Sequence, residues 1–258
     1  LASVRRFHEA PAGAKRPYYT RDPRCGVRFS SNFDLFQSPA ANWRDTLSCS
    51  AAPAPPCREE LPAEVRRMVL GYAAAARALA ARVLGLLSEA LALERGRLAG
   101  LGCAEGLSVV CNYYPPCPQP GLTMGCRAHS DPIFLTVLLQ DVVHAEGGLQ
   151  ARLLGDDGGW VDVPQVAGAL LVNIGDLLQL VNNGRFRSLE HWVVANRSRD
   201  ADVARSTRMY GPIAELINSG GDGGGRAVYR SVTVSEFLAH YDKKGLDGRP
   251  ALDHFRLH

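Results

Sequence analysis

LSVVCNYY (107–114), IFLTVLLQ (133–140), GLQARLL (148–154), GWVDV (159–163), GALLVNIG (168–175), LLQLV (177–181) and LEHWVVAN (189–196) follow one another through the second half of this chain. Each is a short apolar run of strand length, and Gly, Pro, Asn and Asp punctuate the intervals between them. Short strands recurring at roughly ten-residue spacing predict a sandwich or barrel. They exclude a Rossmann sheet, in which strands alternate with helices.

Upstream, apolar residues recur at helical spacing from Glu64 to about Leu93 (Val65, Met68, Val69, Tyr72, Ala76, Leu79, Val83, Leu86, Leu87), which predicts one long amphipathic helix. Residues 1–60 combine a short amphipathic helix with Pro-containing text such as KRPYYTRDP and end in SAAPAPPC, and they read as an irregular flank. Downstream, Thr233 and Glu236 form a capping box that starts a helix through about Lys243, and SGGDGGG (219–225) reads as a loop before it. The expected organisation is a helical and irregular N-terminal region over 1–98, a β core over 99–215, and a C-terminal loop and helix over 216–258. The text opens on Leu1 within the helix-like LASVRRFHEA, so sequence upstream of it is expected.

With 29 basic and 26 acidic residues the formal charge is +3, and no Lys/Arg run resembles a phosphate-binding stripe, so nucleic acid is not an expected partner. The apolar stretch from Val69 to Leu93 is broken by Arg77, Arg82 and Glu89, which argues for a helix packed on protein and against a membrane span. Seven cysteines, an odd number with no CxxC pair, argue for reduced thiols and a cytoplasmic location.

The chemistry sits at His129-Ser130-Asp131, just before the strand expected from Ile133 to Leu139. In extended chain, residues i and i+2 point to the same face, so His129 and Asp131 converge. Of the seven histidines, only His191 also lies within a β-like run, Leu189 to Val194. Two imidazoles and one carboxylate on one face of a metal leave three adjacent positions open, the pattern of non-heme Fe(II) oxygenases. Taken singly, an HxD tripeptide is also what a solvated strand end shows, and a histidine on an apolar strand is also a core histidine.

NYYPPCPQPG (112–121), AHSDPIFLTVLLQD (128–141), GGLQ (147–150), WVDVP (160–164), GALLVNIGDLLQLVNNGRFRSLEH (168–191) and VVAN (193–196) together resemble, in continuous register, the plant 2-oxoglutarate/Fe(II)-dependent dioxygenase superfamily. YYTRD (18–22), SNFDLFQSPAANWRDTL (31–47) and VYRSVTVSEFLAHYDKKGLDGRPALDHFRL (228–257) narrow the resemblance to the branch of 1-aminocyclopropane-1-carboxylate oxidase homologues, which includes the benzoxazinoid dioxygenase. The resemblance implies a mainly β fold with flanking helices, a double-stranded β-helix or jelly roll. It implies Fe(II) on His129, Asp131 and His191, with 2-oxoglutarate, O2 and ascorbate as reductant. It places Tyr114 on the keto acid and Asn112 beside it, although a Pro-Pro turn next to both also accounts for their presence. The implied partner is a small-molecule plant specialised metabolite; oligomeric state is left open.

Other conspicuous residues read as structural. Gly147-Gly148 and Gly175-Asp176 read as tight turns, Trp43 as packing the flank onto the barrel, and Cys117 and Cys126 as small buried residues. Two departures from the family matter. Members carry Arg directly after the distal histidine, where this chain has Trp192. Members also carry an Arg-x-Ser strand after VVAN, where this chain runs through RSRDADVA into RSTRMYGPIAEL (205–216), as though that strand were deleted. Arg205 to Thr207 copies the form, but Arg208 to Pro212 lacks strand text. Two hypotheses follow: an active oxygenase, and a catalytically impaired or mis-spliced relative that binds metal without efficient turnover. A cofactor-free jelly roll and an oxidase using ascorbate in place of the keto acid are the remaining alternatives.

Overall fold

The computed structural model describes residues 1–32, 41–141, 148–154, 158–195, 209–210, 212–218, 226–245 and 249–257. Its helices are α1 (Ala2–Glu9), α2 (Ala12–Lys15), α3 (Ala63–Ala90), α4 (Arg97–Gly100), α5 (Asp176–Val181), α6 (Ala214–Asn218) and α7 (Val234–Lys244). Its strands are β1 (Val27–Ser31), β2 (Asp45–Ala52), β3 (Leu107–Tyr113), β4 (Met124–His129), β5 (Leu135–Leu138), β6 (Leu149–Arg152), β7 (Trp160–Asp162), β8 (Leu171–Ile174), β9 (His191–Val194), β10 (Met209–Tyr210) and β11 (Val232–Thr233).

The strands form an antiparallel sheet in the order β4-β9-β6-β7, a second of β1-β2-β3, and the pairs β5-β8 and β10-β11. The non-sequential order of the four-stranded sheet is produced by crossovers, as in a jelly roll. Its inner face supplies Cys126, Leu149 and Val193 to a buried cluster with Tyr114 and Leu138, so it packs over β5 and the end of β3. The mainly β jelly-roll expectation is met.

The long helix is present as α3. Its buried stripe runs through Val65, Val69, Ala73, Ala76, Ala80 and Leu84, so small residues carry much of the contact, while Leu86 on the expected face is exposed. The helix is long and apolar enough to cross a membrane by length and composition alone. In this fold it lies along the sheets, and Tyr72 Oη donates to the Val137 carbonyl of β5 at 3.2 Å. At the C-terminal end Thr233 caps α7 as expected, its Oγ1 accepting from Glu236 N–H at 3.0 Å.

Three expectations are corrected. Residues 1–60 are not merely an irregular flank, because β2 pairs along β3 from Asp45↔Tyr113 to Ala52↔Leu107, β1 pairs on the other edge of β2, and the two bury Phe29, Leu47 and Cys49. The three-stranded sheet therefore runs across position 98. LLQLV is not a strand but α5, whose residues are all buried; a leucine-rich run buried on every side has no period of two to hold it extended. Met209–Tyr210, read as lacking strand text, pairs with β11. Gly147, the 219–225 tract and the Arg205 to Thr207 segment lie outside the described residues.

Candidate metal centre

His129 ends β4 and His191 opens β9, and the two are direct partners in the antiparallel register. Directly opposed residues project to the same face of a sheet, and their ring centroids are 4.4 Å apart. Asp131 comes from the turn after β4. Its Oδ1 lies 3.9 Å from His129 Nε2 and 3.5 Å from His191 Nε2, and the three ligand atoms lie within 4.8 Å of one another. Among the described residues this is the one His/Cys/Asp/Glu group so arranged.

Each imidazole is oriented from behind. His129 Nδ1 faces the Arg127 carbonyl at 2.7 Å and His191 Nδ1 faces the Leu189 carbonyl at 3.2 Å. A carbonyl only accepts, so both Nδ1 atoms carry hydrogen and both Nε2 atoms are directed at the common centre. The carboxylate is divided in the same way: Oδ2 accepts from Thr136 Oγ1 at 2.6 Å and from Asn173 Nδ2 at 3.5 Å, which leaves Oδ1 for the centre. Burial pushes the Asp131 pKa up, but the His191 and His129 rings and these hydrogen bonds outweigh it and hold the carboxyl below its ordinary range. The donor set, two nitrogens and one oxygen on one side of a point, fits a divalent metal with open positions opposite.

The turn bearing Asp131 is clamped to the start of α5. Asp176 N–H donates to the Asp131 carbonyl at 2.8 Å, Leu177 N–H to Ile133 at 3.2 Å, and Gly175 N–H to Phe134 at 2.9 Å. Beneath it, Ser130 Oγ donates to Asp176 Oδ2 at 2.9 Å, and Tyr241 Oη of α7 donates to the Ser130 carbonyl at 3.1 Å. Burial is the chief cause that raises the Asp176 carboxyl to about 7, against the Ser130 hydrogen bond that lowers it.

The two remaining sequence candidates stand on the other side of β3 from the Leu107, Val109 and Cys111 face. Asn112 is buried, and its Oδ1 accepts from its cross-strand partner Thr46 at 2.8 Å. Tyr114 is buried in the cluster with Cys126 and Val193, its ring so close to Gly125 that an added Cβ there would lie 2.9 Å from it. Neither belongs to the group of convergent ligand atoms. Trp43 ties the N-terminal region to the barrel, with Nε1 donating to the Pro116 carbonyl at 3.3 Å and its N–H to Met124 at 2.8 Å. Trp192 points away from the centre, stacks on Trp160 at 4.2 Å and donates from Nε1 to Gln150 Oε1 at 2.6 Å. Thr136, Asn173 and Ser130 were missed in the sequence, although a lone polar residue inside an apolar strand, as in IFLTVLLQ and ALLVNIG, is a signal that would have found the first two.

Comparison with known proteins gives a consistent picture. A profile described as the 2OG-Fe(II) oxygenase superfamily matches residues 106–209. The chain is 45% identical to 1-aminocyclopropane-1-carboxylate oxidase homolog 3 of Arabidopsis thaliana over 264 residues, covering 98% of this chain and 69% of that protein. It is 44% identical to homolog 1 of the same plant over 266 residues, which takes in all of this 258-residue chain and 70% of the relative. Among solved structures, JOX2 in complex with 2OG, Fe, and JA superposes with a TM-score of 0.87 at 26% identity, over 100% of this chain and 77% of that one. The rice dioxygenase for auxin oxidation superposes with a TM-score of 0.76 at 23% identity, over 99% of this chain and 84% of that one, a likeness of fold.

Proposed function

This chain belongs to the 2OG-Fe(II) oxygenase superfamily, a family of 2-oxoglutarate-dependent dioxygenases, and from that membership we propose that it oxidises a small plant specialised metabolite with Fe(II) held by His129, Asp131 and His191. The observation that carries the reading is the convergence of two Nε2 atoms and one Oδ1 from three places in the fold, each fixed by a hydrogen bond on its far side. An iron bound there supplies activation of O2 coupled to decarboxylation of 2-oxoglutarate to succinate, with ascorbate as reductant. The residues of the chain set the geometry. The carbonyls of Arg127 and Leu189 fix the ring tautomers, and Thr136 keeps Asp131 Oδ2 engaged so that Oδ1 is presented. Tyr114, and Asn112 beside it, are assigned to the keto-acid pocket. Seven cysteines, none of them in a disulfide, support a reducing compartment, the cytoplasm.

A specific feature favours the impaired form of this activity. The far carboxylate of 2-oxoglutarate is met in the family by the Arg-x-Ser strand, and VVAN here leads through RSRDADVA into RSTRMYGP. The alignment with homolog 1 runs over 266 positions against the 258 residues of this chain, so it opens gaps in this chain. A buried carboxylate without a cationic partner costs several kcal/mol, which one neutral hydrogen bond of about 0.5–1.5 kcal/mol from Tyr114 does not offset.

The test is succinate formation by purified chain with Fe(II), ascorbate and 2-oxoglutarate, alongside anaerobic Fe(II) titration. The expected result is metal binding with little succinate, and gain of turnover on inserting a family-type Arg-x-Ser strand between Asp200 and Ala201. Turnover by the unmodified chain that disappears in Arg205→Ala would refute the deletion reading. Unchanged Fe(II) affinity in His129→Ala, Asp131→Ala and His191→Ala would refute the metal site itself.

A further inference from the structure

The register of the four-stranded sheet places a continuous wall beside the two histidines. His129 pairs with His191, His191 with Ala151, and Ala151 with Val161, so these four residues form one row across β4, β9, β6 and β7 on a single face. Two residues deeper along the strands, on the same face, Val193 pairs with Leu149, and both are buried in the cluster that closes the barrel. Two residues the other way stand Leu189 and Leu153; the ladder still reaches them, since Arg152 N–H bonds Glu190 and Leu153 N–H bonds Gly159.

Exposure is low in the inner row and higher in the two rows beyond it. Leu149 and Val193 are 4% and 3% exposed, Val161 is 38% exposed, and Leu189 and Leu153 are 37% and 55% exposed. Apart from His129, His191 and Asp131, the side chains named in the three rows are apolar. The opposite face of the same strands is polar and self-satisfied: Trp192 bonds Gln150, Gln150 bonds Asp162, and Arg152 bonds Glu190. Apolar residues at the metal row therefore stand uncovered on the one side where the core does not need them. Ala151, directly beside His191 and only partly buried, is the smallest side chain of the metal row.

We propose that Ala151 and Val161 are specificity-determining residues: they form the wall against which an uncharged, apolar portion of the organic substrate, a ring or branched chain, packs beside the metal, with Leu153 and Leu189 as its outer rim. This rests on the metal reading of His129, Asp131 and His191. The wall contacts substrate and leaves the ligand set alone, so metal affinity and probe affinity are separable.

The probe is 2-naphthol, uncharged and aromatic, titrated by calorimetry into the full chain loaded with Mn(II), after Mn(II) affinity has been measured for each variant. The parent is expected to bind 2-naphthol saturably. Val161→Asn and Ala151→Phe, the first making the wall polar and the second filling it, should each weaken 2-naphthol binding tenfold or more with Mn(II) affinity unchanged. Arg152→Ala, on the outer face, should leave both affinities at the parent value. Saturable binding that is the same in parent, Val161→Asn and Ala151→Phe would overturn the assignment, as would a metal-loaded parent that binds no 2-naphthol. A parent that binds no Mn(II) would overturn the metal reading instead.

Discussion

Gly175→Ala should dismantle the metal centre from a position that is not a ligand. The backbone there has φ −98° and ψ 170°, extended values open to any residue, so only space forbids a side chain. A methyl group would overlap the Ile133 carbonyl oxygen and stand 2.6 Å from its carbon and 3.1 Å from the Asp131 carbonyl oxygen. Carbon atoms settle at about 3.5 Å or more, so the Asp131 turn must retreat by roughly 1 Å. Retreat stretches three backbone hydrogen bonds, from Gly175, Asp176 and Leu177 to Phe134, Asp131 and Ile133. At about 0.5–1.5 kcal/mol each, the loss is about 1.5–4.5 kcal/mol of folding stability. The same movement carries Asp131 Oδ1 off the two Nε2 atoms. Urea denaturation of the metal-free chain and anaerobic Fe(II) titration measure the two consequences separately. A variant within about 0.5 kcal/mol of the parent, a change expected only of unconstrained surface positions, and with parental Fe(II) affinity, would refute the clamp.

Gly71 gives the converse case: it lies within α3 with nothing within 4 Å of an added Cβ, so Gly71→Ala should stabilise the fold by about 0.5–1 kcal/mol in the same denaturation experiment. Thr136→Val removes the 2.6 Å donor to Asp131 Oδ2 and should weaken Fe(II) binding by about 10–100-fold, with Thr136→Ser recovering most of it; equal affinities in calorimetry would show that Asp131 needs no such support. Burial raises the Cys49 thiol from 9.0 to about 11, so the native state holds that proton more tightly than the unfolded chain. Stability from this group is intact below pH 9 and is lost as pH rises toward 11, by about 3 kcal/mol in full. Urea midpoints at about pH 8 and pH 10.5 should therefore fall less steeply in Cys49→Ala than in the parent; parallel falls would contradict the burial argument.

The convergence of His129, Asp131 and His191 was legible because its two signals are local: a period of two across His129-Ser130-Asp131, and a histidine inside an apolar run closed by turns. A sandwich or barrel was legible from the spacing of those runs, and the jelly roll from the family resemblance. LLQLV misled because an unbroken apolar run carries no period, and its neighbour Asp176 serves a helix start as well as a turn. β1 and β2 were hidden for a different reason. DTLSCSAA alternates Leu47 and Cys49 with serines, a modest pattern that becomes a strand by pairing along β3. The partners of Asp131 were out of reach in kind, since Asn173 meets it through the β5-β8 pairing, and pairing is a property of register that no window of sequence contains. The row from His129 to Val161 belongs to the same class.

Trp160 and Trp192 lie face to face at 4.2 Å with 7° between their planes, on the reverse side of the strand that carries His191. Two of the three tryptophans of the chain are thus a matched chromophore pair, and their electronic transitions couple only while β7 and β9 are both seated on β6. The exciton signal of such a pair in circular dichroism reads out the assembly of the histidine-bearing sheet without a label and without touching the ligands. It separates loss of the sheet from loss of the metal in any variant of the centre, and it lets the order in which the strands and the iron arrive be timed during refolding.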